Sequence, residues 1–125
     1  DKLTPVEPEN DEVLTRGPII PKEKHNVWKK DYYFDGGSYN APLYSAKRLY
    51  GKGDNKSKYF VTVQNTSKIS VHVMCKRENK TYLEFDVEPG REVKKTFNNI
   101  YPSTEWYLRF RGNSNGTFAV NGSVK

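Results

Sequence analysis

Strict alternation of apolar and polar residues dominates the chain between Tyr59 and Val120. The apolar positions form five series, which are Tyr59-Val61-Val63, Ile69-Val71-Val73, Leu83-Phe85-Val87, Trp106-Leu108-Phe110 and Phe118-Val120. A period of two residues indicates strands with one buried and one wet face, and turn-forming residues separate the series. The pattern predicts an all-β fold, a small antiparallel β-sandwich of jelly-roll or Ig-like type. We expect about seven to eight short strands.

Two of the turns are predicted to close hairpins. Glu78-Asn79-Lys80 is short enough for a tight hairpin, and the glycine-containing stretch from Arg111 to Gly116 suits a longer one. The stretch from Ala41 to Tyr50 is ambiguous, because its apolar residues fit helical spacing as well as alternation. Its tyrosines and the Gly51–Asn55 turn that follows favour a strand.

The N-terminal residues differ in composition from the rest. Residues 1–23 contain four prolines and show no sustained period, which predicts an acidic, extended linker before a single sandwich domain at residues 24–125. The alternative is that this acidic tail folds back on the basic domain, as its charge would allow. Residues 1–21 hold five acidic and two basic residues, whereas the remainder holds 10 acidic and 19 basic residues. Deleting residues 1–18 is expected to leave stability nearly unchanged. The absence of an initiator Met suggests a processed chain.

Composition narrows the class of protein further. Only 34% of the residues are hydrophobic, but nine Tyr, six Phe and two Trp supply large buried areas, so the core should be thin and aromatic. The single cysteine, Cys75, falls in an alternating strand and is interpreted as a small core residue. No apolar run is long enough to span a membrane. We expect a monomer that is secreted or attached to a cell surface.

The sequence contains no motif typical of a catalytic site. Serine-hydrolase, zinc-protease and phosphate-loop signatures are all missing, and His72 lies mid-strand on the polar face. No cofactor or metal is expected, since the scattered Asp and Asn residues match no ligand spacing. The RNA-recognition strand motif is missing too, which argues against nucleic acid. Five N-x-S/T sequences, at Asn55, Asn65, Asn79, Asn115 and Asn121, are interpreted as turn composition.

A tyrosine-rich stretch flanked by cations is the best candidate binding surface. Aromatic faces stack on sugars or cover apolar patches, and cations attract anionic polymers. The predicted ligand-binding residues are Lys29, Lys30, Tyr32, Tyr33, Tyr39, Tyr44, Lys47 and Arg48. We therefore expect a non-catalytic module that binds an anionic polysaccharide, another surface polymer or a carbohydrate. The alternatives are a protein–protein module, such as an inhibitor, toxin or immunity partner, and a small hydrolase.

Overall fold

The fold is all-β and antiparallel, as the alternation predicts. The computed structural model describes residues 1–8, 23–53, 58–98 and 100–125. Within these ranges there is no helix, and hence none that could cross a membrane. The ten strands are β1 (Lys24–Asn26), β2 (Tyr32–Tyr39), β3 (Leu43–Tyr44), β4 (Arg48–Tyr50), β5 (Tyr59–Asn65), β6 (Val71–Arg77), β7 (Lys80–Val87), β8 (Glu92–Phe97), β9 (Tyr107–Gly112) and β10 (Thr117–Val124).

Eight of these strands form two four-stranded sheets packed face to face. The first sheet has the order β2-β10-β5-β8 and the second has the order β3-β9-β6-β7. The pairing is nested in sequence, so that strands far apart in the chain pair outside strands that are closer together. The pairs are β2–β10, β3–β9, β5–β8 and β6–β7. The remaining strands, β1 and β4, form a small parallel pair.

The core lies between the two sheets and has the composition that the sequence indicates. The alternating series place Val61, Val63, Val71 and Val73 inside with no exposed surface, and Cys75 is equally buried. An aromatic cluster closes the end of the sandwich next to β1 and β4. Rings of this cluster approach with centroids 5.1 to 5.3 Å apart, and its members are Trp28, Tyr59, Phe97 and Trp106.

Two local predictions differ in outcome. Glu78 and Asn79 close the tight hairpin between β6 and β7, as expected, with Glu78 at φ 50°. The Arg111–Gly116 stretch does not close a hairpin, because β9 and β10 belong to different sheets and the loop between them crosses the sandwich. Alternation within each strand carries no information about which sheet the next strand joins.

The Ala41–Tyr50 stretch is extended but is broken into two strands, β3 and β4. The break follows Ser45, which is fully buried and whose hydroxyl donates to the carbonyl of Lys47 at 3.0 Å. The same hydroxyl accepts from the backbone N–H of Leu108 at 3.1 Å. Ser45 thereby satisfies backbone groups where regular pairing stops.

Residues 1–8 lie against the sandwich and close the seam between β2 and β3. The backbone N–H of Leu3 donates to Asp35 at 2.8 Å, and Thr4 exchanges two backbone bonds with Tyr44 at 2.7 and 2.9 Å. The Leu3 side chain is only 9% exposed, and a Cβ on Gly36 would lie 2.7 Å from it. Among the apolar side chains of residues 1–8, Leu3 is therefore buried, whereas Val6 is exposed. Most of the predicted linker, residues 9–22, lies outside the described ranges.

Candidate functional site

The eight residues predicted as a binding surface do not come together in one place. Tyr32 lies in the core, because alternation along β2 turns Tyr32 inward and Tyr33 outward. Its side chain is 2% exposed and its hydroxyl donates to the Asp1 carboxylate at 2.8 Å. Burial raises the pKa of Tyr32 to about 12. Its ring is therefore not part of a ligand-accessible surface.

Tyr33 and Tyr39 both face outward from the first sheet but stand at opposite ends of β2. They are 57% and 69% exposed, and six residues of extended chain separate them by about 20 Å. Lys29 and Lys30 are exposed in the turn between β1 and β2. Tyr33 and Tyr39 therefore lie on the same outer face but are too far apart to form one contact surface.

Tyr44, Lys47 and Arg48 lie at the second sheet. Tyr44 pairs with Arg109 of β9, and the guanidinium of Arg48 lies 5.9 Å from the centroid of the Tyr107 ring. The cations and tyrosines that are neighbours in sequence are therefore divided between the two outer faces of the sandwich.

A groove runs across the outer face of the first sheet and was not predicted from the sequence. Strand register places side chains in rows that cross all four strands. One row is Tyr33, Ser123, Thr62 and Lys94, and the next is Asp35, Asn121, Gln64 and Glu92. In the first row the central strands carry the short side chains of Ser123 and Thr62, whereas the edge strands carry the longer Tyr33 and Lys94. The edge strands lie about 14 Å apart, three strand spacings, so the centre of this row forms a floor between two higher edges.

The groove is open, and its lining combines aromatic rings with polar side chains. Its volume is about 360 Å³, and its lining residues are Tyr33, Phe34, Thr62, Gln64, Glu92, Asn121, Gly122 and Ser123. Among the described residues, none of the side chains of Thr62, Gln64, Glu92 and Asn121 makes a hydrogen bond to another protein group. Their donors and acceptors thus face the solvent of the groove.

Exposed rings lie beside this polar floor. The Tyr33 hydroxyl donates to the Asp31 carboxylate at 3.4 Å, which steadies the ring at the groove wall. Phe60, which is 47% exposed, lies two residues before Thr62 on the same face of β5. Alternation along each strand could have indicated that these rings, amides and hydroxyls face outward. It could not have shown that they lie side by side, because the sequence pattern does not reveal that β10 lies between β2 and β5.

The outer face of the second sheet carries an arrangement around Tyr107, which is only 1% exposed. Its hydroxyl donates to the carboxylate of Glu7. Burial, followed by this hydrogen bond, raises the pKa of the Tyr107 hydroxyl. Arg109, two residues along β9, donates from Nε to the Tyr44 hydroxyl at 3.3 Å.

His72 occupies the polar face of β6, as expected, but within a cluster that the sequence did not reveal. Its Nδ1 lies 2.8 Å from Asp86 and its Nε2 lies 3.6 Å from Glu84. Hydrogen bonds from Asn113 and from His72 lower the pKa of Asp86. Carboxylates therefore lie at both ring nitrogens of His72. No group of three potential metal ligands occurs in the described ranges.

The N-x-S/T sequences occupy very different environments. Asn79 and Asn115 are exposed in turns, whereas Asn121 lies within β10 on the groove floor. Asn65 is fully buried at the end of β5, and its side-chain oxygen accepts from the backbone N–H of Ser67 at the turn that follows. The turn interpretation therefore does not fit Asn121, which lies within a strand. Asn55 lies outside the described residues.

Comparisons with protein-family models, with curated proteins and with solved structures give no match to this chain. The two outer faces of the sandwich are therefore interpreted from the chemistry of their own side chains.

Proposed function

We propose that the protein is a non-catalytic carbohydrate-binding module whose ligand lies in the groove of the first sheet. The observation that carries this proposal is the row of amide and carboxylate groups of Asn121, Gln64 and Glu92. Their side chains have no partner among the described protein groups and line the same groove as the exposed ring of Tyr33. Gln64 and Glu92 are exposed and Asn121 is half-buried, so their donors and acceptors are open to a polar ligand that replaces water.

The groups present match the chemistry of sugars. A sugar hydroxyl both donates and accepts, and the amides of Gln64 and Asn121 can do the same, while the Glu92 carboxylate accepts from two donors. The apolar face of a pyranose can pack on the ring of Tyr33, and tyrosine supplies large contact area with few rotatable bonds. Lys94 balances Glu92 on the groove wall, so a neutral glycan is favoured here over an anionic one.

The placement of carboxylates supports binding rather than hydrolysis. Asp35 and Glu92 stand on opposite edge strands of one row, about 14 Å apart at the backbone. Glycosidases hold their two carboxyl groups within about 9.5 Å of each other. Asp35 is also engaged by the Lys2 ammonium at 2.5 Å. We propose that a protein with such a ligand acts outside the cell, secreted or at a cell surface.

The test is retention of the protein by neutral polysaccharides in native affinity gels, covering glucans, mannans, galactans and xylans. Tyr33→Ala and Asn121→Ala should each abolish most of the retention by the polysaccharide that binds. Tyr39→Ala is the matched control, since Tyr39 is an equally exposed tyrosine on the same strand and lies outside the groove. Melting temperatures should agree among the variants.

Failure to bind any neutral polysaccharide would contradict the proposal. Equal effects of Tyr33→Ala and Tyr39→Ala would also contradict it, because the groove would then have no special part in binding. In either case the protein–protein alternative would become the leading one, with the exposed rings of Tyr33 and Phe60 as the contact surface.

A further inference from the structure

The outer face of the second sheet, opposite the groove, carries a concentrated positive charge. Lys76 lies directly across from Tyr107 in the pairing of β6 with β9, and Arg109 follows Tyr107 on the same face. Arg48 approaches the Tyr107 ring with its guanidinium. We call Arg48, Lys76 and Arg109 the cationic patch; its centre is the buried ring of Tyr107.

Arg109 is held in a fixed position without an acidic partner. Its Nε donates to the Tyr44 hydroxyl at 3.3 Å and its Nη1 lies 3.6 Å from the sulfur of Met74. The residue is half-buried, and none of the carboxylates of the described residues lies within 4 Å of it. A guanidinium that is partly removed from water and unpaired is costly, and its planar fork of donors suits an oxyanion. An incoming anion would therefore gain from a group that is already oriented.

The acidic residues nearby leave this position open to an anion. The Glu7 carboxylate accepts the Tyr107 hydroxyl and is the one acid that the described residues place at the patch centre. Glu84 and Asp86 stand on β7, on the far side of β6, where both contact His72. Asp86 also accepts a hydrogen bond from the Asn113 amide at 2.9 Å.

We propose that the cationic patch is a second binding site, which takes the sulfate or carboxylate groups of an acidic polysaccharide. Charge-assisted, planar contacts from arginine are the recognition mode for these groups. The proposal does not rest on the groove, since it involves other residues on the opposite face. The two tyrosines at the patch are not fully exposed, since Tyr107 is buried and Tyr44 is half-buried. A site for single-stranded nucleic acid would need rings on which bases can stack.

Dextran sulfate and uncharged dextran form the decisive pair of probes, because they share one backbone and differ in the anionic group. Polygalacturonate provides the carboxylate arm of the experiment, and single-stranded DNA provides a polyanion of a different class. We expect binding to dextran sulfate or polygalacturonate, a steep fall in affinity with added salt, and binding to single-stranded DNA at least tenfold weaker at equal ionic strength.

Three variants and one control test whether the patch is responsible. Arg109→Gln should weaken binding about tenfold, and Arg109→Lys should recover only part of the loss, because lysine restores the charge but not the planar fork. Glu7→Gln should strengthen binding about two- to fivefold by removing the one negative charge at the patch centre. Arg91→Gln, in the exposed turn before β8, removes the same charge as Arg109→Gln and should have little effect. Melting temperatures verify that each variant is folded.

Equal losses for Arg109→Gln and Arg91→Gln would overturn the proposal, since binding would then follow net charge alone. It would also be overturned if neither dextran sulfate nor polygalacturonate bound, or if single-stranded DNA bound as tightly as they do. A decrease in binding for Glu7→Gln would likewise contradict the location of the site.

Discussion

Asn65 is expected to be among the most important polar side chains for stability. It is fully buried, at the end of β5, and its amide nitrogen donates to the carbonyls of Ile69 at 2.8 Å and Val87 at 2.9 Å. Its side-chain oxygen accepts from the backbone N–H of Ser67 at 2.9 Å and from the Ser67 hydroxyl. One side chain thereby joins the β5–β6 connection to β7 of the opposite sheet.

Replacement by alanine would remove all of these bonds at once. Two carbonyls and one N–H would lose a partner, and each unsatisfied buried group costs about 1–3 kcal/mol. Water can reach Ser67 and Ile69, which are half-buried, so the lower end of that range applies. We expect Asn65→Ala to lower the free energy of unfolding by about 3 kcal/mol, which corresponds to a fall in Tm of about 10 °C for a chain of this size.

The assay is urea unfolding followed by circular dichroism, with Asn79→Ala as the matched control. Asn79 begins another N-x-S/T sequence but is exposed in the β6–β7 turn, so its replacement should change stability by less than about 0.5 kcal/mol. Asn65→Asp tests the donor role, because it places a carboxylate against two carbonyl oxygens and should be at least as destabilising as alanine at neutral pH. Equal stabilities of Asn65→Ala and Asn79→Ala would refute the reasoning.

Three further predictions concern the N-terminal segment, the thiol and the buried tyrosines. Leu3→Ala should cost about 2–4 kcal/mol because Leu3 is buried, whereas Val6→Ala, at a position 63% exposed, should cost almost nothing; equal unfolding curves would contradict the docking of residues 1–8. Cys75 is fully buried and burial raises the pKa of its thiol, so a thiol reagent should label it only in denaturant, and prompt labelling of the native protein would contradict its position. Burial raises the pKa of three tyrosines, which are Tyr32, Tyr59 and Tyr107. The unfolded chain ionises them near pH 10 while the folded protein keeps them protonated, so the free energy of unfolding should fall as pH rises above about 10; complete tyrosinate formation by all nine tyrosines before unfolding would contradict this.

Much of the local structure could be predicted from the sequence because it depends on neighbouring residues. Alternation along a strand decides which side chains share a face, and it placed Val61, Val63, Phe110 and Cys75 inside. The turn at Glu78 and Asn79 is equally local, since a two-residue connection leaves adjacent strands antiparallel. These features are the same whichever strands pair later.

The tyrosine-rich stretch shows where local reasoning ends. The predicted surface treated Tyr32 and Tyr33 alike, although adjacent residues of a strand point to opposite faces. Deciding which of them is exposed requires knowing which face of β2 meets the core. That face is set by packing against the second sheet, where Phe34 contacts Phe110 with ring centroids 5.2 Å apart.

The sequence by itself therefore determined the all-β class, the strands, and which residues of each strand share a face. Only the tertiary structure decided which strands are neighbours, and with that which polar residues meet. The groove joins Tyr33 to Asn121 and to Glu92, and the cationic patch joins Arg48 to Lys76 and Arg109. Their members are far apart in the chain, and their proximity depends on the order of the strands. The strand order is selected by the free energy of burying the inner faces of all strands together. No single segment of the sequence therefore determines it.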